Sequence, residues 1–361
     1  MKNPDNSILF SQNYFEARER FLSATKAVSY PSSAKCPKGR DLFTDVTWIG
    51  DDDAKNVLVL IAGTHGVEAY CGSAAQLSML YSDIPSNLLK STAIMMIHAL
   101  NPYGFAWDRR VTPEGCDLNR NFIDFSQPVP ENPGYDLLAD CLVPRDLSEA
   151  GIAKAEEAIG EFRTKNGEMA FQSARKCGQY TRPDGMFYGG AAPSEARQTL
   201  ERVVDDFHIA DRENVVIIDY HTGLGPYGYG ELQCETSSGI DGYQRAREIF
   251  GHSVTSPDIG TSTSFLLTGT QDDYWEGLMG DKHTYVCLEF GTFSQEESRK
   301  VLRNDHWLFA YRPEQADELL GRNIRAATKN QYNPNMRDWQ EMVVFRCDQV
   351  HRQAVEWLNT R

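Results

Sequence analysis

His65 and Glu68 stand three residues apart, just past the apolar run "NVLVLIAG" (56–63) and between Gly63, Gly66 and Gly72. At the first turn of a helix that spacing puts both side chains on one face, with Cβ atoms about 5–6 Å apart, so an imidazole and a carboxylate can reach one metal ion. The glycines let the backbone turn sharply without a Cβ clash. A further histidine, His221, ends a second apolar run, "NVVIIDYH" (214–221), and Glu289 ends a third, "TYVCLEFGT" (284–292). Two histidines and a glutamate with a fourth position open form a ligand set for catalytic zinc. Each residue alone also has a plain structural role: a hydrogen-bonded turn histidine, an acid favoured at a helix N-terminus, a satisfied histidine at a strand end. Their convergence carries the weight, because sites in open α/β sheets form where loops meet at the carboxyl ends of strands.

The stretch "NPYGFAWDRRVTPEGCDLNRNF" (101–122) adds Arg109, Arg110, Asn119 and Arg120 to an otherwise acidic chain. Guanidinium forks bind carboxylates through paired hydrogen bonds, and asparagine adds a neutral donor, so this loop is a candidate carboxylate clamp. Surface salt bridging is the alternative, and it contributes little.

The elements that must position these groups follow from periodicity. Strands are expected at 41–50, 56–63, 92–100, 214–221 and 284–292, with another at 230–236. Helices are expected at 14–28, 68–81, 147–177, 193–207, 241–250, 295–329 and 335–358, and 101–135 reads as irregular. Short apolar strands alternating with amphipathic helices imply an α/β fold with a mixed, largely parallel central sheet and helices on both faces. No linker divides the chain, so 1–361 reads as one catalytic domain, with 136–190 a possible helical insertion or cap.

The 361 residues carry 36 Lys and Arg against 51 Asp and Glu, a formal charge of −15. That field disfavours nucleic acid and anionic membrane as partners. No run approaches the roughly 20 apolar residues of a membrane span. The first 30 residues, with Asp5, Glu16 and Glu19, hold no apolar core of an export signal. Eight scattered cysteines without a C-x-x-C pair suit free thiols in a reducing cytoplasm.

H-x-x-E, then N-P-x-G, then D-L-N-R-N-F, then a strand-end histidine and a strand-end glutamate is an order that resembles the zinc carboxypeptidases related to carboxypeptidase A. The resemblance is closest to the branch holding succinylglutamate desuccinylase and aspartoacylase, or to a bacterial relative of it, and spans about 56–122, 214–225 and 284–292. It implies the zinc-carboxypeptidase (phosphorylase/hydrolase-like) fold and one Zn2+ per chain, held by His65, Glu68 and His221. It further implies Glu289 as general base and Arg110, or Arg109 beside it, polarising the scissile carbonyl. Asn119 and Arg120 would hold the substrate carboxylate, and Asp117 would orient His65. The implied reaction is hydrolysis of an amide next to a free carboxylate, in a peptide (metallocarboxypeptidase) or an N-acyl amino acid (deacylase). Neither the substrate's side chain nor the oligomeric state can be read this way. Tyr274, in "TQDDYWEG", is a candidate for the family's substrate-facing tyrosine, with a core aromatic the preferred reading.

Two other functions compete. "GLGPYG" (223–228) spells G-x-G-x-x-G after a buried strand, the spacing of a dinucleotide-binding turn. Pro226 and the strand-like continuation remove the helix N-terminus such a turn needs, so these glycines are expected to shape the loop beside His221. A non-catalytic protein that binds peptides or acyl-amino acids is the second alternative, and it has no use for Glu289 beside an open metal position. His98, His208, His252, His283, His306 and His351 lack any convergent context and read as structural or surface residues.

Overall fold

The computed structural model describes residues 6–236 and 241–361, so Asp5 lies outside the described residues. Eight strands form one sheet: β1 (Val28–Lys35), β2 (Asp41–Ile49), β3 (Asn56–Ala62), β4 (Thr92–His98), β5 (Asn214–Tyr227), β6 (Gly230–Gln233), β7 (Val254–Thr255) and β8 (His283–Gly291). Their spatial order is β1-β2-β4-β3-β5-β8-β6-β7. The centre, β4-β3-β5-β8, is parallel, while β1, β2 and β6 join it through antiparallel pairings.

The helices are α1 (Tyr14–Ala24), α2 (Ala69–Tyr81), α3 (Pro102–Ala106), α4 (Pro133–Leu142), α5 (Glu149–Asn166), α6 (Glu168–Lys176), α7 (Glu195–Asp206), α8 (Asp241–Phe250), α9 (Gln271–Met279), α10 (Gln295–Tyr311), α11 (Leu319–Tyr332) and α12 (Arg337–Leu358). They cover both faces, and β3 shows why its sequence is apolar throughout. Leu58, Leu60 and Ala62 enter a core shared with α2, α8 and α12. Val57, Val59 and Ile61 enter a separate core shared with α7 and α9. A strand buried on both faces needs apolar residues at every position, each large one contributing about 1.5–3 kcal/mol.

Several elements depart from expectation. The first helix stops at Ala24, and β1 follows as an edge strand whose polar "VSYPSSAK" alternates between exposed and covered positions. Proline and serine are tolerated there because an edge strand leaves one side unpaired. α4 opens inside the stretch expected to be irregular, with Asn132 capping it and Pro133 at its first position. α9 was not expected, although Thr270 and Asp273 form a capping box. The 147–177 region holds two helices, α5 and α6. The α4–α6 segment is tied to α10 by Arg299 and Arg303, which both reach Glu156, and by Trp307, whose Nε1 donates to Arg145 O at 2.9 Å.

Candidate functional site

Neighbouring strands bring their polar ends into register. His221 on β5 pairs with Glu289 on β8, and one step below, Asp219 pairs with Cys287. β3 runs parallel beside β5 and delivers His65 and Glu68 just beyond its end. Gly63 turns the chain there with φ +82°, and a Cβ on Gly66 would sit 2.1 Å from the backbone of Gly104. Only glycine permits that contact, which locks the 65–68 turn against α3.

The ligand atoms of His65, Glu68 and His221 converge, and all three residues are buried. The two Nδ1 atoms lie 3.1 Å apart. His65 Nδ1 is 3.1 Å from Glu68 Oε1, and His221 Nδ1 is 3.1 Å from Glu68 Oε2. Each ring is anchored from its other side: His65 Nε2 lies 3.1 Å from Asp117 Oδ1, and His221 Nε2 lies 2.8 Å from Asp219 Oδ2. Each aspartate accepts a hydrogen bond from the Nε2–H that faces it, and this turns Nδ1 of both rings toward the carboxylate of Glu68. Two imidazole nitrogens and a carboxylate oxygen around one buried point make a group that can hold a metal ion, and that donor chemistry fits zinc.

Charge balance around the cluster is steep. Burial would raise Glu68, but His65, His221 and Arg110 hold its carboxyl well below the usual range. Burial would lower His221, but Asp219 and Glu68 lift it well above its usual value. Asp117 is held low against burial by Arg110 and His65. Glu289 goes the other way: burial and the nearby Glu68 push it up to about 8, while its Oε1 accepts a hydrogen bond from Leu224 N at 2.9 Å.

His65, His221, Glu289, Arg110, Asn119 and Arg120 share one cavity, about 770 Å³ including its mouth. Arg110 bridges two acids, with Nη1 donating to Glu68 Oε1 at 2.8 Å and Nε to Asp117 Oδ2 at 3.0 Å. Asn119 Oδ1 accepts from Gln271 N at 2.8 Å. The Arg120 guanidinium donates to Lys176 O and Asn119 O.

Arg109 is a correction to the carboxylate-clamp expectation. It is 4% exposed, its Nε is 3.0 Å from both oxygens of Asp305, and its guanidinium lies 3.4 Å above the Phe309 ring. It is absent from the cavity wall. The two adjacent arginines leave in different directions, Arg109 to Asp305 and Arg110 to Glu68 and Asp117. Tyr274 is likewise outside the cavity, packed on Phe122 with ring centroids 5.5 Å apart. The tyrosine that does line the cavity is Tyr332.

The 223–228 glycines open no helix, because β5 continues to Tyr227 and β6 follows. They carry positive φ, and a Cβ on Gly223 would come within 2.9 Å of the Tyr332 ring. They hold the loop whose Leu224 amide meets Glu289. That excludes the dinucleotide turn, which needs a helix N-terminus. His98, His283, His306 and His351 are buried, and His208 and His252 lie on the surface.

Sequence reasoning missed Asp219, Glu235, Lys176 and Arg175. Asp219 had a signal, since two residues before His221 on a strand is the same face. It also accepts hydrogen bonds from Thr64, Gln271 and Tyr285. Arg175 and Lys176 come from the end of α6, so the expected cap contributes to the cavity wall. All eight cysteines are free, with Cys141 and Cys177 the two that are not fully buried. Among the described residues no helix is long and apolar enough to cross a membrane.

Residues 10–346 match the family described as "Protein of unknown function (DUF2817)". No curated protein matches the sequence. Among solved structures, bovine thrombin-activatable fibrinolysis inhibitor in complex with tick carboxypeptidase inhibitor is similar at 14% identity, over 93% of this chain and 98% of that one, with a TM-score of 0.45. Murein-tripeptide amidase from Escherichia coli O157 is similar at 16% identity over 83% and 91% of the two chains, TM-score 0.34. A putative succinylglutamate desuccinylase/aspartoacylase family protein from Shewanella amazonensis SB2B is similar at 16% identity over 79% and 71%, TM-score 0.37.

Proposed function

The chain belongs to the DUF2817 family, and we propose that it is a zinc-dependent hydrolase cleaving an amide bond next to a free carboxylate. The observation that carries this is the facing pair of Nδ1 atoms on His65 and His221 above Glu68, each ring anchored by its own aspartate, with Glu289 in the same cavity.

His65, Glu68 and His221 would hold the ion, with Asp117 and Asp219 fixing the tautomers. Bound there, zinc would supply an acidified water and a Lewis acid for the carbonyl oxygen, and its charge would offset Glu68 and draw the Glu289 pKa down. Asn119 and Arg120 bind the substrate's carboxylate and so place the neighbouring amide carbonyl over Glu289. Glu289 takes the proton of the attacking water and then delivers it to the leaving amine, the two halves of general base and general acid work. Arg110 donates to the oxyanion that develops on the carbonyl. The Leu224 amide fixes the orientation of Glu289, leaving its second oxygen for the proton. A protein that only bound such ligands would have no use for a base held in this way.

The test is elemental analysis of purified protein beside a His65→Ala/His221→Ala variant, together with amide hydrolysis assays on N-acyl amino acids and dipeptides. About one zinc per chain, lost in the variant, with turnover of at least one class, is the expected result. Protein that neither holds nor takes up zinc would overturn the reading.

A further inference from the structure

The loop that follows α6, residues 177–190, carries an aromatic side chain that the proposed chemistry does not use. Phe187 borders the cavity beside Arg110 and Arg120. Its backbone has φ +56°, in the left-handed region that a bulky side chain rarely enters. Ala99, Asp108 and His208 are the other non-glycine residues with positive φ among the described residues, and none of them lines the cavity. Such a conformation persists only where the surroundings hold it. Here three successive carbonyls are fixed: Gln179 Nε2 donates to Met186 O at 3.3 Å, Gln179 N to Phe187 O at 3.1 Å, and Asp117 N to Tyr188 O at 2.7 Å. Gln179 and Asp117 are both buried, so water does not compete for these bonds.

The ring held by this turn is within reach of both arginines of the site. The guanidinium carbon of Arg110 lies 5.6 Å from its centroid and that of Arg120 lies 5.9 Å away. The negative face of an aromatic ring attracts a cation out to about 6 Å, more strongly where water is excluded. Arg175 and Lys176 border the same cavity, so four cations gather around one space. Arg110 bonds Glu68 and Asp117 through Nη1 and Nε, whereas Arg120 bonds main-chain carbonyls alone among the described residues. A guanidinium has about five N–H groups, so each arginine keeps some free for a ligand. Where those groups aim depends on what the planar head rests against.

We propose that Phe187 is a positioning residue: its ring is the surface against which Arg110 and Arg120 are set, so that the one meets the oxyanion and the other the substrate's carboxylate. This rests on the hydrolase reading above. The strained turn brings the ring to that place through bonds from Gln179 and from Asp117, the same acid that anchors His65. Loss of the ring face loosens both arginines, so kcat falls and KM rises together. Activity then follows aromaticity at position 187. Stability follows the backbone, because glycine relieves a positive φ and alanine does not.

Zinc-loaded wild-type protein and the variants Phe187→Tyr, Phe187→Leu, Phe187→Ala and Phe187→Gly are assayed on benzoyl-glycyl-L-leucine and benzoyl-glycyl-L-glutamate. Zinc content and melting temperature are measured on the same preparations, and binding of N-benzoyl-L-leucine by calorimetry. Phe187→Tyr is expected to stay within about twofold of wild type in kcat/KM. Phe187→Leu should lose at least tenfold, shared between kcat and KM, with its zinc retained. Phe187→Gly should melt above Phe187→Ala while being no more active. Wild-type kcat/KM in Phe187→Leu overturns the assignment, as does an equal loss in Phe187→Tyr. So does activity that simply tracks melting temperature across the series, or a Phe187→Gly protein that melts below Phe187→Ala. If no variant cleaves either amide, binding weakened at least tenfold in Phe187→Leu but not in Phe187→Tyr supports the positioning role and counts against the hydrolase reading alone. Equal binding by those two variants, or none by the wild-type protein, overturns the role.

Discussion

His221 Nε2 lies 2.8 Å from Asp219 Oδ2, two residues earlier on the same face of β5, and that carboxylate also accepts from Thr64, Gln271 and Tyr285. β3, β5, β8 and the start of α9 therefore meet at one buried acid, which fixes the His221 ring with its Nδ1 toward Glu68. Anchors of this kind typically account for a 10–100-fold change in metal affinity. Asp219→Asn is expected to weaken zinc binding by about that factor, read by competition with a chromophoric chelator. Unchanged affinity would mean that the ring is oriented by packing alone.

In the proposed mechanism Glu289 supplies proton transfer without belonging to the His65–Glu68–His221 set. Glu289→Gln is expected to keep its zinc while losing roughly 10²–10⁴-fold in kcat, the range attributed to a positioned acid–base group. Metal content and turnover measured on the same preparation check this, and a fully active variant would remove Glu289 from the mechanism.

Arg109 and Arg120 should separate cleanly. The Arg109–Asp305 pair is 4% and 1% exposed on its two side chains. Removing one partner of a buried pair costs about 3–5 kcal/mol. Burial already lifts the Asp305 carboxyl above its usual range, so protonation relieves part of the loss. Arg109→Ala is expected to cost about 3 kcal/mol of stability in urea unfolding, toward the lower end of that range. Arg120→Ala should instead raise KM for carboxylate-bearing substrates. A large KM effect from Arg109→Ala, without loss of stability, would return it to the substrate clamp.

Three buried histidines predict acid sensitivity. Burial lowers His98 to about 4, and both His306 and His351 to about 3. Between about pH 6.5 and 4 the unfolded chain binds protons that the folded chain refuses, so stability rises with pH and is lost as pH falls through this window. Each group contributes a slope of about 1.4 kcal/mol per pH unit. Urea midpoints at pH 7, 6 and 5 should drop steadily, and a flat profile would show that these rings are solvated or paired in the folded state.

The strands that carry His65, His221 and Glu289 were legible because their signal is local. An apolar run long enough to be buried on both faces, ending in a polar residue, announces both the strand and the end where a site can form. H-x-x-E needs only one turn of chain to bring its two groups together. Edge strand β1 was not legible, since its alternation is weak and its residues are polar, and α9 announced itself only through the cap at Thr270 and Asp273.

Composition and periodicity by themselves determined the α/β class, the parallel centre of the sheet and which strands end in polar residues, because burial and hydrogen bonding act over a few residues. Tertiary structure decided the rest. Arg109 and Arg110 are neighbours of the same type, yet one reaches Asp305 on a distant helix and the other Glu68. Asp219 sits inside an apolar run, and nothing local says that its face meets Gln271 from a helix 52 residues away. Glu235 joins the cavity wall only because the pairing of β6 with β8 sets it beyond Cys287. Contacts of that kind depend on strand order and register, which the packing of the whole chain fixes and no short segment encodes.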